Sequence, residues 1–361
     1  TAVASSILNS YGSFTTPAFA PVLLNLSMIA GALWLTPYMA TPIMALGWAV
    51  IVAGFLQLAL QIPELWRKKL LIPPKIDFKH EGVERILKLM LPALFGVSVT
   101  QINLLLNSVW ASFMQDGSVS WLYSAERMTE LPLGLIGVAI GTVILPALSA
   151  RHAEQDQTKY RNMMDWAAKI IVLAGVPASI ALFMLSTPII QTLFQRGQFT
   201  LADTQMTALA LQCMSAGVLS FMLIKVFAPG FYAQQDTKTP VRVGLMTVAV
   251  NAVLTLILIG VFKFMGWQEE HMALALASSG SALVNAGLLY FYLHKRDIFR
   301  FGTHWKKLML QFLIANSLMV LALAYALTWY NGDVAEWLRV AQVLGLCMVG
   351  AVTYAVGLIL T

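Results

Sequence analysis

Long apolar stretches, separated by short polar ones, run the length of this chain. A membrane-spanning helix needs about 20 mostly apolar residues, and ten stretches are long enough. They cover residues 17–36, 43–63, 86–113, 119–149, 163–194, 204–231, 241–264, 272–293, 308–330 and 337–360. Their apolar positions are continuous and do not alternate with polar ones, which predicts helices and not the strands of a membrane barrel. Residues 1–10 are typical of the end of a further helix.

The composition agrees with a membrane protein. Apolar residues make up 58% of the 361 residues and charged residues only 11%, whereas a soluble domain carries roughly 25% charged residues. Cys213 and Cys347 lie in different apolar stretches, which argues against a disulfide framework and against a cysteine metal site. We therefore predict an all-α polytopic membrane protein with about ten transmembrane helices.

The connections between the apolar stretches alternate in charge. Every second connection is rich in Lys and Arg; these connections hold seventeen cations, and the intervening ones hold three, Arg196, Lys263 and Arg339. Because basic loops are retained in the cytoplasm, we predict that both ends of this chain are cytoplasmic. The net charge of +6 then reflects membrane topology and indicates no nucleic-acid partner.

Three charges fall inside one predicted span. The segment "YSAERMTELPLG", residues 123–134, contains Glu126, Arg127 and Glu130. Charges at membrane depth are costly and usually face a cavity or a partner helix. The alternative is that this long helix, 119–149, extends its first turns into the membrane interface.

Helical spacing favours the cavity. At about 100° per residue, one face collects Ser120, Tyr123, Arg127, Glu130, Gly134, Gly137 and Gly141, with Glu126 at its margin. Arg127 and Glu130 are three residues apart and can form an ion pair on the helix surface. The spacing of Gly137 and Gly141 is in itself typical of close helix packing.

Further polar residues line neighbouring spans. In the preceding helix, Asn103 and Asn107 continue a face begun by Gly96 and Thr100. A hydrated lumen and ordinary interhelical hydrogen bonding both explain this face. Lys225 lies near the cytoplasmic end of its span, where a lysine can extend its ammonium group to the interface.

Three stretches carry a recognisable pattern. They are "YSAERMTELPLGLIGVAIGTVILPALSARH" (123–152), "VFAPGFYAQQDTKTPVR" (226–242) and "PAFAPVLLNLSMI" (17–29). Together they resemble the lipid II flippases of the MurJ (MviN) type, within the MOP exporter superfamily. The resemblance runs along essentially the whole chain, and its charged motif before "P.G....A..T..LP.LS" is the most specific part.

The resemblance implies a MOP-type, MATE-like bundle of fourteen helices, of which this chain is similar to helices five to fourteen and lacks the first four. On that basis we expect residues 1–78 to form the end of the N-terminal lobe and a cytoplasmic linker. Residues 79–300 would form a second lobe of six helices, and 301–361 a C-terminal helix pair lining a groove for the lipid tail.

The implied function is export of undecaprenyl-pyrophosphate-linked disaccharide pentapeptide. The family moves it from the cytoplasmic to the periplasmic leaflet of the bacterial inner membrane by alternating access, as a transporter and not an enzyme. The resemblance assigns substrate contact to Glu126, Arg127 and Glu130, and we add as candidates Tyr123, Asn103, Asn107 and Lys225. The family's cavity arginines lie on the first two helices, so we expect this chain to be incompetent alone; we also expect a monomer among membrane lipids, without a cofactor.

The coupling ion stays open. Some relatives bind Na⁺ through carboxylates on their seventh and eleventh helices, where this chain offers Asn103, Asn107, Asn251 and Thr255. Without a carboxylate there, we predict no strong sodium site, and either an ion or the membrane potential drives the cycle.

Alternative functions belong to other classes. A cation-coupled multidrug or oligosaccharide-lipid exporter of the same superfamily would use Glu126 or Glu130 as its ion carboxylate. A polytopic enzyme acting on polyprenyl phosphates would need reactive groups at one interface, and the connections 116–120 and 36–42 are short and poor in such groups. A scaffold subunit without transport is the third alternative.

Overall fold

The computed structural model describes residues 1–70 and 101–361, apart from 102, 268 and 303. Within these ranges every regular element is a helix, and nine helices are long and apolar enough to cross a membrane. They correspond to nine of the ten predicted spans. The tenth, 86–113, lies mostly outside the described residues, of which 103–112 are helical. The predicted all-α membrane fold is confirmed.

The chain divides into two compact units, Thr1–Leu87 and Lys88–Thr361. In unit 1 the helices are α1 Ala2–Ser10, α2 Thr15–Ala30 and α3 Pro42–Arg67, with a π-helical turn, Gly31–Leu35, continuing α2. In unit 2 they are α4 at 103–112, α5 Ser118–Pro132, α6 Ala139–Ala153, α7 Gln157–Met184, α8 Ser186–Phe194, α9 Leu201–Tyr232, α10 Lys238–Met265, α11 His271–Lys295, α12 His304–Leu327 and α13 Glu336–Leu360.

Unit 1 is held by small residues and by one carboxylate. A side-chain carbon added at Gly31 would lie 2.7 Å from Cβ of Ala49, so glycine is what allows α2 to approach α3. Toward the other end of α3, the Glu64 carboxylate accepts hydrogen bonds from the hydroxyls of Ser13 and Thr16. Polar anchors of this kind satisfy groups that lipid could not.

Helix α9 is the central helix of unit 2. More than half of its most apolar stretch is buried, and it contacts α5, α6, α7 and α11. Its buried side chains include Leu211, Met222, Phe227 and Phe231. A helix that is apolar on every side is one that protein surrounds, and this one organises the packing of its neighbours.

The predicted span 163–194 is two helices in the structure. Helix α7 ends at Met184, and α8 begins at Ser186. The reason is Pro188, which has no backbone N–H to donate to the carbonyl of Met184 and whose ring would clash with it. The membrane-crossing part is therefore Gln157–Met184.

The C-terminal pair, α12 and α13, packs closely through small residues. A side-chain carbon added at Gly357 would lie 2.7 Å from Cα of Ala315. The pair is also tied to α7, because the Tyr354 hydroxyl donates to the Leu173 carbonyl over 2.7 Å. That carbonyl lacks its helical donor because Pro177 stands four residues later.

Polar groups tie the helices together at both ends of unit 2. At the end with the α9–α10 and α11–α12 connections, Trp305 Nε1 donates to Asp165 over 2.6 Å, and Lys169 pairs with the same carboxylate at 2.6 Å. At the opposite end, Trp121 Nε1 donates to Asp203 over 2.8 Å. These bonds fix the helix ends relative to one another.

Candidate functional site

Helix α5 carries the predicted charges and begins at a left-handed glycine. Gly117 has φ of +100°, a conformation that glycine adopts without a steric penalty. The side chains of Tyr123, Arg127 and Glu130 project from one side of the helix, and we call them the charged face. Tyr123 is 56% exposed, and the side chains of Arg127 and Glu130 are 53% and 51% exposed.

The charged face is organised around the Arg127 guanidinium. Its Nη1 donates to Glu130 Oε2 over 2.9 Å and its Nη2 donates to the Tyr123 hydroxyl over 2.6 Å. Its central carbon also lies 4.8 Å from the centre of the Tyr123 ring, a cation–π distance. Arginine has five N–H donors, and these two bonds leave three for a ligand.

Glu126 lies at the edge of this face, as its spacing predicts. Its side chain is half-buried, and no hydrogen bond to its carboxylate is found within the described ranges. Its backbone carbonyl accepts a bond from the Thr129 hydroxyl over 2.8 Å. Glu126 adds negative charge beside Arg127 without occupying its donors.

The predicted single stripe of charges and glycines holds as far as Gly134, which is exposed, and is wrong from Gly137 onward. Gly137 is buried, and a side-chain carbon added to it would lie 3.7 Å from both Met222 and Lys225 of α9. The charged face is exposed instead. The cause is a π-helical turn at Leu133–Val138, which adds a residue to one turn and changes the direction of everything beyond it. Gly137 and Gly141 serve helix packing, the plainer of their two interpretations.

The remaining candidates are not joined to the charged face. Asn107 Nδ2 donates to the Ser278 hydroxyl of α11 over 3.2 Å, which is the interhelical bond that the sequence leaves as an alternative. Asn103 is half-buried. Lys225 is exposed on α9, and its stem runs alongside Gly137. Among the described residues, none of the three bonds to Tyr123, Arg127 or Glu130.

A polar anchor that the sequence interpretation missed fixes the first turn of α5. Besides its bond to Asp203, the Trp121 ring meets the His271 ring edge-on, with centroids 5.1 Å apart. His271 is 1% exposed, and its Nε2 lies 2.9 Å from the Met206 carbonyl. Thr200 and Asp203 form a capping box at the start of α9, and the T-x-x-D spacing was the signal available for it.

Buried neutral oxygens occur on α4 and α10. Within the described residues, Asn103 Oδ1, Asn107 Oδ1 and Thr255 Oγ1 have no hydrogen-bond partner, and Asn251 Nδ2 donates to the Ser281 hydroxyl over 3.3 Å. In the described part of the chain, no three His, Cys, Asp or Glu side chains gather to hold a metal ion. The oxygens present would leave the charge of a bound cation without a counter-charge.

Comparisons with known proteins place this chain in a family. The family model described as lipid II flippase MurJ matches residues 1–344. The probable lipid II flippase MurJ of Haemophilus influenzae is 43% identical, over 99% of this chain and 70% of that protein. Its counterpart from Vibrio cholerae is 40% identical, over 99% of this chain and 67% of that protein.

A solved structure agrees in fold. It is described as lipid II flippase MurJ in an inward closed conformation and is 25% identical in sequence. It superposes with a TM-score of 0.77 over 99% of this chain and 69% of that one.

Proposed function

This chain belongs to the lipid II flippase MurJ family, and on that premise we propose that Arg127 binds the pyrophosphate of lipid II during its passage across the membrane. The chain is a multi-pass membrane transporter of the bacterial inner membrane and not an enzyme. The exporter and polyprenyl-phosphate enzyme alternatives are not favoured by the family assignment.

The observation that carries this proposal is the state of the Arg127 side chain. Glu130 and Tyr123 hold the guanidinium from two sides. About half of the side chain is nevertheless exposed, and three of its five N–H donors are left for a ligand. Arginine's planar fork matches phosphate oxygens in two-point contacts, and charge-assisted bonds of this kind are about twice as strong as neutral ones. A pre-positioned guanidinium also loses little side-chain entropy when the ligand arrives.

Glu130 and Tyr123 act on the substrate through Arg127. Both hold the guanidinium in one orientation, and the Glu130 carboxylate limits how tightly an anion binds, which permits its release. A transporter needs a site that the substrate can leave as well as enter. Glu126 contributes to the same balance from the edge of the face.

The rest of the transport cycle extends the proposal. We place Lys225, Asn103 and Asn107 in a secondary role along the substrate's path, with Lys225 nearest the inner leaflet. Lipid II moves from the cytoplasmic to the periplasmic leaflet by alternating access, and the α12–α13 pair accommodates its lipid tail. The chain works as a monomer with both of its ends in the cytoplasm, an orientation supported by the loop charges.

The driving force is proposed to be the membrane potential or an ion other than tightly bound sodium. The support is chemical: the buried oxygens of Asn103, Asn107 and Thr255 are neutral, and hard cations are usually bound with carboxylates among their ligands. No step of the proposed mechanism passes through a bound metal.

The test is the substitution Arg127→Ala in the protein as the cell makes it. We expect loss of growth in a strain depleted of its own flippase, and loss of lipid II translocation, at normal protein level. The matched control is Arg151→Ala, since Arg151 forms the same kind of ion pair with Glu154, at 2.8 Å and three residues apart on the continuing helix. Normal translocation by Arg127→Ala would refute the assignment.

A further inference from the structure

Helices α5 and α6 form one continuous rod whose two halves are out of phase. The π turn at Leu133–Val138 lies between them. An α-helix advances by about 100° per residue, so the extra residue of a π turn sets the second half back by about that angle.

The burial of side chains records this shift. Glu130 and Leu148 are eighteen residues apart, which is five whole turns of an α-helix at about 3.6 residues per turn. A regular helix would therefore point them in the same direction. In the structure Leu148 is fully buried, whereas the Glu130 side chain is 51% exposed.

The apolar residues show the complementary effect. Met128 and Leu148 are twenty residues apart, so a regular helix would point them in nearly opposite directions, about 160° apart. Both are buried, and both belong to the same apolar core. The π turn thus lets the two halves bury their apolar sides against the same core while the charged face stays open.

Two prolines explain why the helical hydrogen-bond pattern is interrupted near the π turn. Pro132 ends α5 and has no backbone N–H to continue the regular pattern. On the facing helix, Pro229 likewise leaves the Lys225 carbonyl without its helical donor. Gly141 fits against this carbonyl, since a side-chain carbon there would lie 3.3 Å from its oxygen. The α5–α6 helix therefore contacts α9 at a point where both helices have an interrupted hydrogen-bond pattern.

We propose that the π turn is the positioning element of the charged face, a role that deepens the proposed function and rests on it. It keeps Arg127 and Glu130 turned away from α9 while α6 stays packed on α9. Removing one residue from the turn restores the regular phase. The α6 packing then rotates the charged face by about 100° toward α9, where Arg127 no longer meets a substrate.

Deletion of Leu135 tests this directly, because Leu135 lies in the π turn and is 75% exposed, so little packing is lost with it. The control is Leu135→Ala, which keeps the length of the turn. Cys213 and Cys347 are first replaced by serine, and single cysteines are then placed at Glu130→Cys or Met128→Cys. Labelling of the purified protein by a polar maleimide reports which position is exposed.

With Leu135→Ala we expect position 130 to label at least tenfold faster than position 128, as in the parent. With the deletion we expect the order to invert and lipid II translocation to be lost. If the deletion variant does not fold, Pro132→Ala serves instead, since it restores the backbone donor; it should slow labelling at 130 and speed it at 128.

An unchanged labelling order in the folded deletion variant would overturn the proposal. If the deletion does not fold, unchanged labelling rates at 130 and 128 in Pro132→Ala would overturn it. The labelling needs no substrate, so it is independent of the Arg127→Ala test. Inverted labelling together with normal translocation by Arg127→Ala would leave the geometry standing and refute the flippase role of the charged face.

Discussion

Two arginine–carboxylate clusters in unit 2 resemble each other in composition and differ in use. Arg127 and Glu130 lie on one helix and are both half exposed. Arg296 and Asp236 join the end of α11 to the α9–α10 connection, and the Asp236 side chain is only 20% exposed. The first pair is local to one helix, whereas the second connects elements sixty residues apart.

The two clusters differ in how many hydrogen bonds the carboxylate accepts. Asp236 accepts from the Thr239 backbone N–H at 3.0 Å, from its hydroxyl at 2.6 Å and from Arg296 Nη1 at 2.5 Å, while Arg296 Nη2 donates to the Thr239 hydroxyl at 2.9 Å. The Asp236 carboxylate therefore accepts three bonds and caps α10, whereas the Glu130 carboxylate accepts one, from Arg127, within the described residues. Each arginine makes two such bonds, so the two guanidinium groups have equal numbers of N–H donors left. An ion pair that stabilises the fold and one that serves a ligand are thus distinguished by how fully the carboxylate is bonded and by which elements the pair joins.

Exchanging the two residues of each ion pair should give the largest effects, and should separate a role in substrate binding from a role in stability. Arg127→Glu combined with Glu130→Arg keeps an ion pair but moves the cation. We expect unchanged thermal stability and about a 100-fold loss of lipid II translocation, since charge-assisted bonds to phosphate are worth roughly 3 kcal/mol and 1.4 kcal/mol is tenfold. Translocation and melting temperature of the purified protein are the measurements.

The corresponding exchange, Asp236→Arg with Arg296→Asp, should lower stability and spare translocation. It removes the cap of α10 and lowers the melting temperature, while translocation per folded molecule stays near that of the parent. Loss of stability at the first pair and not at the second would contradict the comparison.

The packing side of the α5–α6 rod is tested by two glycines three residues apart. Gly137→Leu should destabilise the protein by about 1–3 kcal/mol, because the added side chain meets Leu133, Met222 and Lys225 and overpacking costs that much. Gly134→Leu should have little effect, since no atom lies within 4 Å of a side-chain carbon added there. Thermal unfolding in detergent measures both, and equal destabilisation would argue against the packing described.

Asp236→Asn should have a smaller effect, confined to stability. We expect a loss of about 1–2 kcal/mol, because the amide removes charge-assisted bonds to Thr239 and Arg296 and partial exposure weakens their contribution. Translocation should fall only in proportion to the folded fraction. If translocation were lost while the stability stayed that of the parent, the prediction would be wrong and Asp236 would belong to the functional site.

The pH dependence of this variant should be the smallest effect. Although partial burial acts to raise it, the pKa of Asp236 falls from 3.8 to about 2, because Thr239 and Arg296 bond its carboxylate. A depressed folded-state pKa stabilises the protein above the unfolded value and ceases to do so as pH falls through the folded one. The stability difference between parent and Asp236→Asn should therefore be constant above pH 5 and shrink between about pH 4 and pH 2.

The sequence predicted the helices well and their irregularities poorly. Nine spans and the Arg127–Glu130 pair followed from hydropathy and from i,i+3 spacing, both of which are local. The phase of Gly137 and Gly141 did not, because it depends on the π turn at Leu133–Val138 and on the core that Met128 and Leu148 share. The break at Leu185 was within reach, since Pro188 marks it. The Trp121–His271 contact was not, because it joins helices remote in sequence.

The hydroxyl of Tyr354 has a consequence for how this sequence can evolve. It donates to the Leu173 carbonyl, which lacks its helical hydrogen bond because Pro177 has no backbone N–H. The stabilising effect of either residue therefore depends on the other. If Pro177 were replaced by a residue with a backbone N–H, that N–H would donate to the Leu173 carbonyl within α7. The Tyr354 hydroxyl would then compete with it for the same oxygen. Positions 177 and 354 should therefore covary among related chains, although they are 177 residues apart.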